Sequence, residues 1–256
     1  MKRIPALENS VLVVAHPDDE VLWFSSLLSE IDLTIIVFQD YQTQPDLGER
    51  RTKAIAELPF EVICLEVYEA GTFGIVNWDR PEISPFGMVL NDPNPDEDAR
   101  RTYEKNFHSI SAQLRNYLSA DMNVFTHNPW GEYGHADHVQ IYRIIEDLRA
   151  ELGFESYVSS YFSSRTNPLV KNYAASDKDE NFTCPIDSKS SQHIADIYKR
   201  HGCWTWANDW VWNKEERFLQ RPALRTSDGS KQSLIGSNLL RQIPSSPGDR
   251  IPPSPS

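Results

Sequence analysis

The sequence contains few cysteines, and they are widely spaced. Its 256 residues include only Cys64, Cys184 and Cys203, an odd set that excludes a disulfide framework and favours a reducing compartment. Long apolar runs are also absent, since no segment approaches the roughly 18 residues that a membrane-spanning helix needs. The basic N-terminal residues are not followed by an apolar segment, so we expect no signal peptide and a cytoplasmic protein without a membrane span.

Basic residues are scarce relative to acidic ones. The chain has 25 Lys and Arg against 37 Asp and Glu, a formal net charge of -12. A nucleic-acid partner would need a basic face to meet its phosphates, so this balance excludes nucleic acid and is compatible with a small-molecule substrate. Residues 225–256 are polar and rich in Pro and Ser, which predicts a tail and leaves residues 1–224 as a single domain.

Strand-like and helix-like segments alternate over the first two-thirds of the chain. Short apolar or β-branched runs predict strands at 10–15, 33–38, 61–67, 123–126 and 156–162. Apolar residues at helical spacing predict helices at 19–31, 47–58, 98–120, 135–152 and 189–200. This alternation indicates an α/β fold, with a mostly parallel sheet covered by helices on both faces and an irregular C-terminal extension.

Two polar clusters each follow a predicted strand. Residues 15–20 read Ala-His-Pro-Asp-Asp-Glu directly after the first strand, and residues 133–138 read Tyr-Gly-His-Ala-Asp-His after the strand at 123–126. Ligands bind beyond the carboxyl ends of the strands in such sheets. We therefore expect both clusters to lie at the same edge of the sheet.

The residue types in these clusters favour a metal centre. His16, Asp19 and His138 supply two imidazoles and one carboxylate, a set that binds Zn²⁺ and leaves an open position for water. His135 precedes His138 by three residues at a helix start, so both rings can face one pocket. Helix capping would explain one aspartate of the first cluster, and a polar first turn would explain the second cluster alone, but neither explains both together.

The paired motifs resemble those of the PIG-L/LmbE family of zinc-dependent sugar N-deacetylases. The resemblance extends over residues 8–165, and the two motifs together are a specific signal. It implies a Rossmann-like α/β fold, one catalytic divalent metal and an N-acetylated sugar or glycoconjugate as substrate. It also implies the site residues: metal ligands His16, Asp19 and His138, general base Asp18, and two residues that stabilise the tetrahedral intermediate, His135 and Tyr133.

These implied roles are chemically coherent. A bound metal lowers the pKa of its water and polarises the amide carbonyl. Asp18 can take the water's proton, because its neighbour Asp19 occupies the ligand position. A cationic His135 would offset the charge of the oxyanion and protonate the leaving amine, and we expect Asp137 to hold that ring in the right tautomer and raise its pKa.

The substrate-side positions depart from the family pattern. Relatives often carry Arg-x-x-Glu at the start of the second helix, where the arginine binds substrate. In this chain Arg50 matches the arginine, but Lys53 stands at the glutamate position. Arg51 is the alternative substrate contact.

Other side chains near the strand ends have two interpretations each. Asp40 either lines the pocket or caps a turn. Trp130, like Trp78, either stacks on a sugar face or packs beneath a loop. His127 either lies near the metal or is structural. The four tryptophans between 204 and 212 form either a core or interface, which leaves a homo-oligomer open, or a carbohydrate platform.

The sequence therefore predicts a metal-dependent N-deacetylase that releases acetate and a free amine from an N-acetylglucosamine-like sugar or glycoconjugate. Zn²⁺ is the expected cofactor, although a site of two histidines and one aspartate also accepts Fe²⁺ or Co²⁺. Two alternatives remain open. One is an amidase that acts on a non-sugar compound such as an N-acyl cysteine conjugate, and the other is an inactive sugar-binding protein.

Overall fold

Seven strands form the central sheet of the computed structural model, which describes residues 5–41, 44–91, 97–175, 181–221, 235–236 and 241–243. From one edge of the sheet to the other, the strands are β10 (Asn181–Pro185), β11 (Glu215–Gln220), β7 (Glu155–Ser159), β6 (Asn123–Thr126), β1 (Ser10–Val14), β2 (Leu33–Tyr41) and β3 (Val62–Glu69). The strands from β7 to β3 are parallel, whereas β10 and β11 run antiparallel at one edge.

The connections between these strands are mostly helical. The described helices are α1 (Asp19–Trp23), α2 (Pro45–Ile55), α3 (Glu97–Leu114), α4 (Ala136–Leu152), α5 (Asn167–Tyr173) and α6 (Ser188–Arg200). Short strands form three two-stranded pairs: β4 (Ile83–Ser84) with β5 (Gly87–Met88), β8 (Tyr161–Phe162) with β13 (Arg241–Gln242), and β9 (Ala174–Ala175) with β12 (Ile235–Gly236). Among the described helices, none combines the length and the apolar character that a bilayer span requires.

Strand β1 lies inside the sheet and is buried on both faces. Leu12 and Val14 belong to an apolar cluster with side chains of α1, α2 and α6. Val11 and Val13 point to the opposite face and belong to a second cluster with α3 and α4. The alternation arises because successive strand side chains point to opposite faces of a sheet. The predicted α/β fold, a mostly parallel sheet covered by helices on both faces, is confirmed.

Part of the C-terminal third is integral to the sheet. Strands β10 and β11 extend the sheet beyond β7, and α6 packs on the same side as α1. Among the described residues of this third, the segment between α6 and β11 has the irregular character that the sequence predicted. The predicted domain boundary at 224, and the predicted tail except for residues 235–236 and 241–243, lie outside the described residues.

Helix α1 is much shorter than predicted, because it ends at Trp23 instead of Ile31. Ser25 and Ser26, which follow the C-cap residue Phe24, bind the buried carboxylate of Glu216 in β11. Ser26 donates its backbone N–H at 2.8 Å and its hydroxyl at 2.6 Å, and Ser25 donates its hydroxyl at 3.2 Å. Because Ser25 and Ser26 donate to Glu216, these donors do not need the hydrogen bonds of a continuing helix. The next residue, Leu27, is nevertheless buried. The apolar spacing therefore reflected burial and not helical continuation.

The contact between Glu216 and the end of α1 predicts a pH dependence of stability. Burial raises the pKa of Glu216 from its ordinary value of 4.5 to about 7, against the hydrogen bonds from Ser26 and Ser25. A carboxyl group whose pKa is higher in the folded state than in the unfolded state stabilises the fold at low pH. That stability is lost as the pH rises through about 7.

We expect the free energy of unfolding of the wild type, relative to Glu216→Gln, to fall by up to about 3 kcal/mol between pH 5 and pH 8. Urea unfolding of both proteins at several pH values measures this difference. A wild-type-minus-variant difference that stays constant across the range would show that Glu216 does not titrate in this window.

Candidate metal centre

The candidate centre lies where β1 and β6 end at the carboxyl edge of the sheet. His16 follows β1, and Asp19 is the first residue of α1. The chain turns between them at Asp18, whose φ of 96° is in the left-handed region. The turn brings His16 Nδ1 to 3.2 Å from Asp19 Oδ2, so two residues of the first motif meet. His138, in the first turn of α4, reaches the same place from the other polar cluster.

Donor atoms of the three predicted ligands converge. Asp19 Oδ2 lies 3.2 Å from His16 Nδ1 and 3.2 Å from His138 Nε2. Ring nitrogens of His16, His135 and His138 also lie within 4.8 Å of one another. Tetrahedral coordination with bonds of about 2.0–2.1 Å separates neighbouring donors by about 3.3 Å. The spacing around Asp19 therefore fits a small divalent ion.

His138 is oriented by a buried carboxylate. Its Nδ1–H donates to Glu132 Oε2 at 2.8 Å, and both side chains are inaccessible to solvent. Its Nε2 is buried and has no hydrogen-bond partner within the described part of the chain. A buried imidazole nitrogen without a partner is costly, and a metal ion would satisfy it. The geometry of His138 thus fits the role of a ligand through Nε2.

His16 also has a carboxylate partner, on the ring nitrogen that faces away from Asp19. Its Nε2 lies 3.3 Å from Asp137 Oδ2, which leaves Nδ1 on the side of Asp19. Asp137 is fixed in turn by the hydroxyl of Thr72 at 2.9 Å. Metal-binding histidines commonly have a carboxylate on the second ring nitrogen, because this partner fixes the ring and increases its basicity. Both predicted histidine ligands have this arrangement.

His127 lies in the cluster but its ring nitrogens are already used. The backbone N–H of Ala15 donates to His127 Nε2 at 2.9 Å, so the proton is on Nδ1, which donates to Glu132 at 3.0 Å. The ring stacks on His138 with centroids 3.8 Å apart. His127 therefore supports His138 and is not available as a ligand, although its ring nitrogen is within 4.8 Å of donor atoms of Asp19 and His138.

Glu132 is a site residue that the sequence argument missed. Its carboxylate also accepts hydrogen bonds from the backbone N–H of Asn128 at 3.1 Å and from the hydroxyl of Ser159. Burial disfavours its charge, but the charge of His127 and the hydrogen bonds with His127 and His138 lower its pKa to about 2. The available signal was an acidic residue between the strand end and the His motif, but it gave no hint that the side chain turns inward.

Asp18 lies beside the predicted ligand Asp19 and is held by a residue from the C-terminal third. Thr205 donates to Asp18 Oδ2 twice, from its backbone N–H at 2.9 Å and from its hydroxyl at 2.7 Å. Burial and the neighbouring charge of Asp19 raise the pKa of Asp18 to about 7, although the Thr205 hydrogen bonds act in the opposite direction. Thr205 was not singled out by the sequence, because no local pattern connects it with Asp18.

The structure corrects the expected charge of His135. Its Nδ1 accepts the backbone N–H of Asp137 at 3.2 Å, and burial together with the charge of His16 lowers its pKa well below the ordinary value. Asp137 Oδ2 is 4.0 Å from that nitrogen and lies closer to His16. The prediction that Asp137 keeps His135 cationic is therefore wrong. A neutral ring with its proton on Nε2 is a hydrogen-bond donor.

Tyr133 lies on an aromatic wall beside the cluster. Its ring centroid is 5.3 Å from that of His138 and 4.8 Å from that of Trp206. Trp206 also packs edge-on against Trp23 at 5.2 Å. Half-buried Trp206 thus connects the tryptophan-rich segment to the site. All four tryptophans of this segment pack in or against the apolar cluster that contains α1, as the core interpretation predicted.

The predicted substrate contacts Arg50 and Trp130 are not placed as expected. Arg50 donates to the carbonyls of Asp46 and Gly202, so it ties α2 to the turn after α6. Trp130 is fully buried and donates its Nε1–H to the carbonyl of Tyr161 at 2.7 Å. A ring with no exposed face cannot stack on a sugar, so the substrate-binding role of Trp130 is wrong.

Arg51 in α2 and Asp40 in β2 are the remaining residues predicted on the substrate side, and their surroundings differ. Arg51 forms an ion pair with Glu69 at 2.6 Å, and the other oxygen of Glu69 is 3.8 Å from His16 Nε2. The alternative arginine therefore faces the cluster and Arg50 does not. Asp40 is half-buried, and its carboxylate packs against the bare Cα of Gly48 in α2.

No family model and no curated protein matches the chain. Its fold is similar to solved structures, among them the zinc-inhibited form of teicoplanin deacetylase Orf2 and a deacetylase–bog complex from the biosynthesis pathway of teicoplanin. Each has a TM-score of 0.50 and 13% sequence identity, and each alignment covers 82% of this chain and 97% of the other. At this identity the likeness shows a shared fold.

The role of Glu132 generates a prediction for metal affinity. In Glu132→Gln, the two histidine rings lose a charged acceptor, so we expect divalent-metal affinity to fall by about 10- to 100-fold. Competition with a chromogenic chelator measures this change, and Glu104→Gln on the exposed face of α3 is the matched control. Equal affinities for both variants and the wild type would contradict the proposed link between Glu132 and the metal.

Proposed function

We propose that this protein is a metal-dependent N-deacetylase of the PIG-L/LmbE type, acting on an N-acetylglucosamine-like sugar or glycoconjugate. The observation that carries the proposal is the approach of His16, Asp19 and His138 around one point. Among the described residues, the buried Nε2 of His138 has no hydrogen-bond partner. Asp18 lies next to this set and belongs to none of its carboxylate–histidine pairs. A metal site with a separate carboxylate is what amide hydrolysis requires.

His16, Asp19 and His138 would hold the ion, and the bound ion would lower the pKa of water and polarise the amide carbonyl. Two imidazoles and one carboxylate suit Zn²⁺, and they also suit Fe²⁺ and Co²⁺. Glu132 and Asp137 keep the two rings in position on their outer sides. Those two carboxylates therefore serve the ligands and not the substrate.

Asp18 acts as the general base and takes a proton from the attacking water. His135 donates its Nε2–H to the oxyanion that forms from the amide carbonyl, which a neutral imidazole can do as well as an amide N–H. Because His135 carries no spare proton in this state, the proton held by Asp18 passes to the leaving nitrogen. The C–N bond breaks, and acetate and a free amine result.

Support for the substrate class comes from two sources. The motifs around His16 and His138 resemble those of sugar deacetylases, and the structures that share the fold are described as deacetylases of the teicoplanin pathway. On the substrate side, Arg51 and not Arg50 faces the metal cluster, where its ion pair holds the Glu69 carboxylate beside His16. Tyr133 and Trp206 supply an aromatic wall next to the ligands.

The proposal is tested by a screen for primary-amine release after metal depletion and metal return. The panel contains N-acetylglucosaminyl glycosides, sugar nucleotides and N-acetylcysteinyl compounds, and the metals are Zn²⁺, Fe²⁺ and Co²⁺. Since one protein of this fold is described in a zinc-inhibited form, zinc is titrated from below to above one equivalent. We expect metal-dependent amine release from an N-acetylglucosaminyl compound.

Other outcomes of this screen have defined meanings. Release only from N-acetylcysteinyl compounds would identify the non-sugar amidase. Sugar binding with full metal occupancy and no amine release would identify the inactive binding protein.

The role of Asp18 predicts that Asp18→Asn retains metal and loses most activity. An amide cannot accept the proton of water, and general base catalysis contributes roughly 10²–10⁴-fold, so kcat should fall by that factor. Metal content by atomic spectroscopy and kcat on the best substrate of the screen are measured together. Asp209→Asn, the same change on an exposed position of the tryptophan-rich segment, should leave both unchanged. Near-normal turnover of the Asp18 variant at full occupancy would exclude this base.

A further inference from the structure

The exposed Thr205 donates hydrogen bonds to the buried carboxylate of Asp18, which we assign as the general base. Thr205 has an exposed position, yet its hydroxyl and its backbone N–H both donate to Asp18 Oδ2, at 2.7 and 2.9 Å. No hydrogen bond to Asp18 Oδ1 is present among the described residues. The two oxygens of this carboxylate therefore have different environments, one occupied by two donors and the other left for a proton.

The backbone of Asp18 is held from the same part of the chain. Its φ of 96° is costly for a residue with a side chain, so surrounding contacts must maintain it. Its N–H donates to Glu20 Oε2 at 3.0 Å, and Glu20 Oε1 accepts the hydroxyl of Tyr198 at 2.7 Å. Tyr198 in α6 thus fixes the backbone N–H of Asp18 through Glu20, and Thr205 fixes the carboxylate.

The segment that carries Thr205 is anchored on α1. The Nε1–H of Trp212 donates to the carbonyl of Val21 at 2.7 Å, and Trp206 packs edge-on against Trp23. Trp212 and Trp23 are buried. These contacts flank Thr205 on its C-terminal side and keep its two donors in register with Asp18.

We propose that Thr205 is a positioning residue for the deacetylation reaction. It occupies Asp18 Oδ2 with two donors, so the carboxylate cannot rotate about its terminal bond, and Oδ1 becomes the oxygen that accepts the proton of the attacking water. This inference rests on the proposed function, since it assigns Asp18 to proton transfer. Reactions of this kind depend on the reacting oxygen being held in place, and a displacement of about 1 Å can cost 10²-fold in rate.

The chemistry of Thr205 gives a clean test. The backbone N–H remains in any non-proline variant, whereas the hydroxyl is present only in Thr and Ser. Thr205→Val keeps the shape of the side chain and removes one of the two hydrogen bonds. Thr205→Ser keeps the hydroxyl and removes only a methyl group, and Thr183→Val makes the same polar-to-apolar change at an exposed position of β10.

Kinetics on the best substrate of the amine-release screen separate positioning from folding. We expect Thr205→Val to lower kcat by about 10- to 100-fold while KM changes by less than about threefold, because the contact acts on the transition state and not on substrate binding. Thr205→Ser should restore most of kcat, and Thr183→Val should behave as the wild type. Metal content and thermal midpoint should be equal in all four proteins. If Thr205→Val is as active as the wild type, or if Ser fails to restore the rate, the positioning role is wrong.

Crystal structures of the Thr205→Val and Thr205→Ser variants give a readout that does not depend on turnover. We expect the Asp18 carboxylate to rotate or to occupy two orientations in the Val variant, and to keep a single orientation in the Ser variant. An unchanged carboxylate in the Val variant would overturn the inference. A wild type that releases no amine from any compound would refute the proposed deacetylase instead, and the crystal structures would still decide whether Thr205 fixes Asp18.

Discussion

The site depends on one buried carboxylate, Glu132, which accepts the Nδ1–H of both His138 and His127. Placing a charge in an interior without solvent is unfavourable unless several donors compensate it. Here two imidazoles, a backbone N–H and a serine hydroxyl surround it. Because these bonds fix both tautomers, Nε2 of His138 is directed towards Asp19, while Nε2 of His127 receives the N–H of Ala15. The position of α4 relative to β1 is fixed by the same contacts.

The electrostatics of the cluster couple metal binding to protons. Burial opposes protonation of His16, yet the charge of Glu69 and hydrogen bonds to Asp137 and Asp19 raise its pKa to about 10. Burial likewise opposes protonation of His138, while the negative charges of Asp19 and Glu132 raise its pKa to about 9. A divalent ion that binds these rings competes with their protons and releases them to solvent. The surrounding carboxylates therefore favour a positive charge at this site, whether it is a divalent ion or a proton on a histidine ring.

Sequence and structure agree where the signal is local. The contact between His16 and Asp19 was predictable, because they are three residues apart in a break after a buried strand. The alternation of strands and helices places the second cluster at the same edge. Long-range contacts were not readable. Thr205 and Glu69 reach the site through tertiary packing. Trp130 belongs to the core, and the residue type alone does not distinguish a core tryptophan from one that lines a pocket. Helix α1 was overestimated because buried turns and helices share the same apolar spacing.

The contacts around α1 join residues that are far apart in the sequence. Thr205 is 187 positions from Asp18, Glu216 is 190 from Ser26, and Trp212 is 191 from Val21. During synthesis the N-terminal motif leaves the ribosome first, and loop closure over such distances is entropically costly. In the nascent chain, the segment around α1 therefore lacks its contacts with Thr205, Trp212 and Glu216 until most of the described residues have been translated. The hydrogen bonds that hold the Asp18 carboxylate cannot form until Thr205 has been translated, and a chain that stops short of Thr205 leaves Asp18 Oδ2 without these two donors.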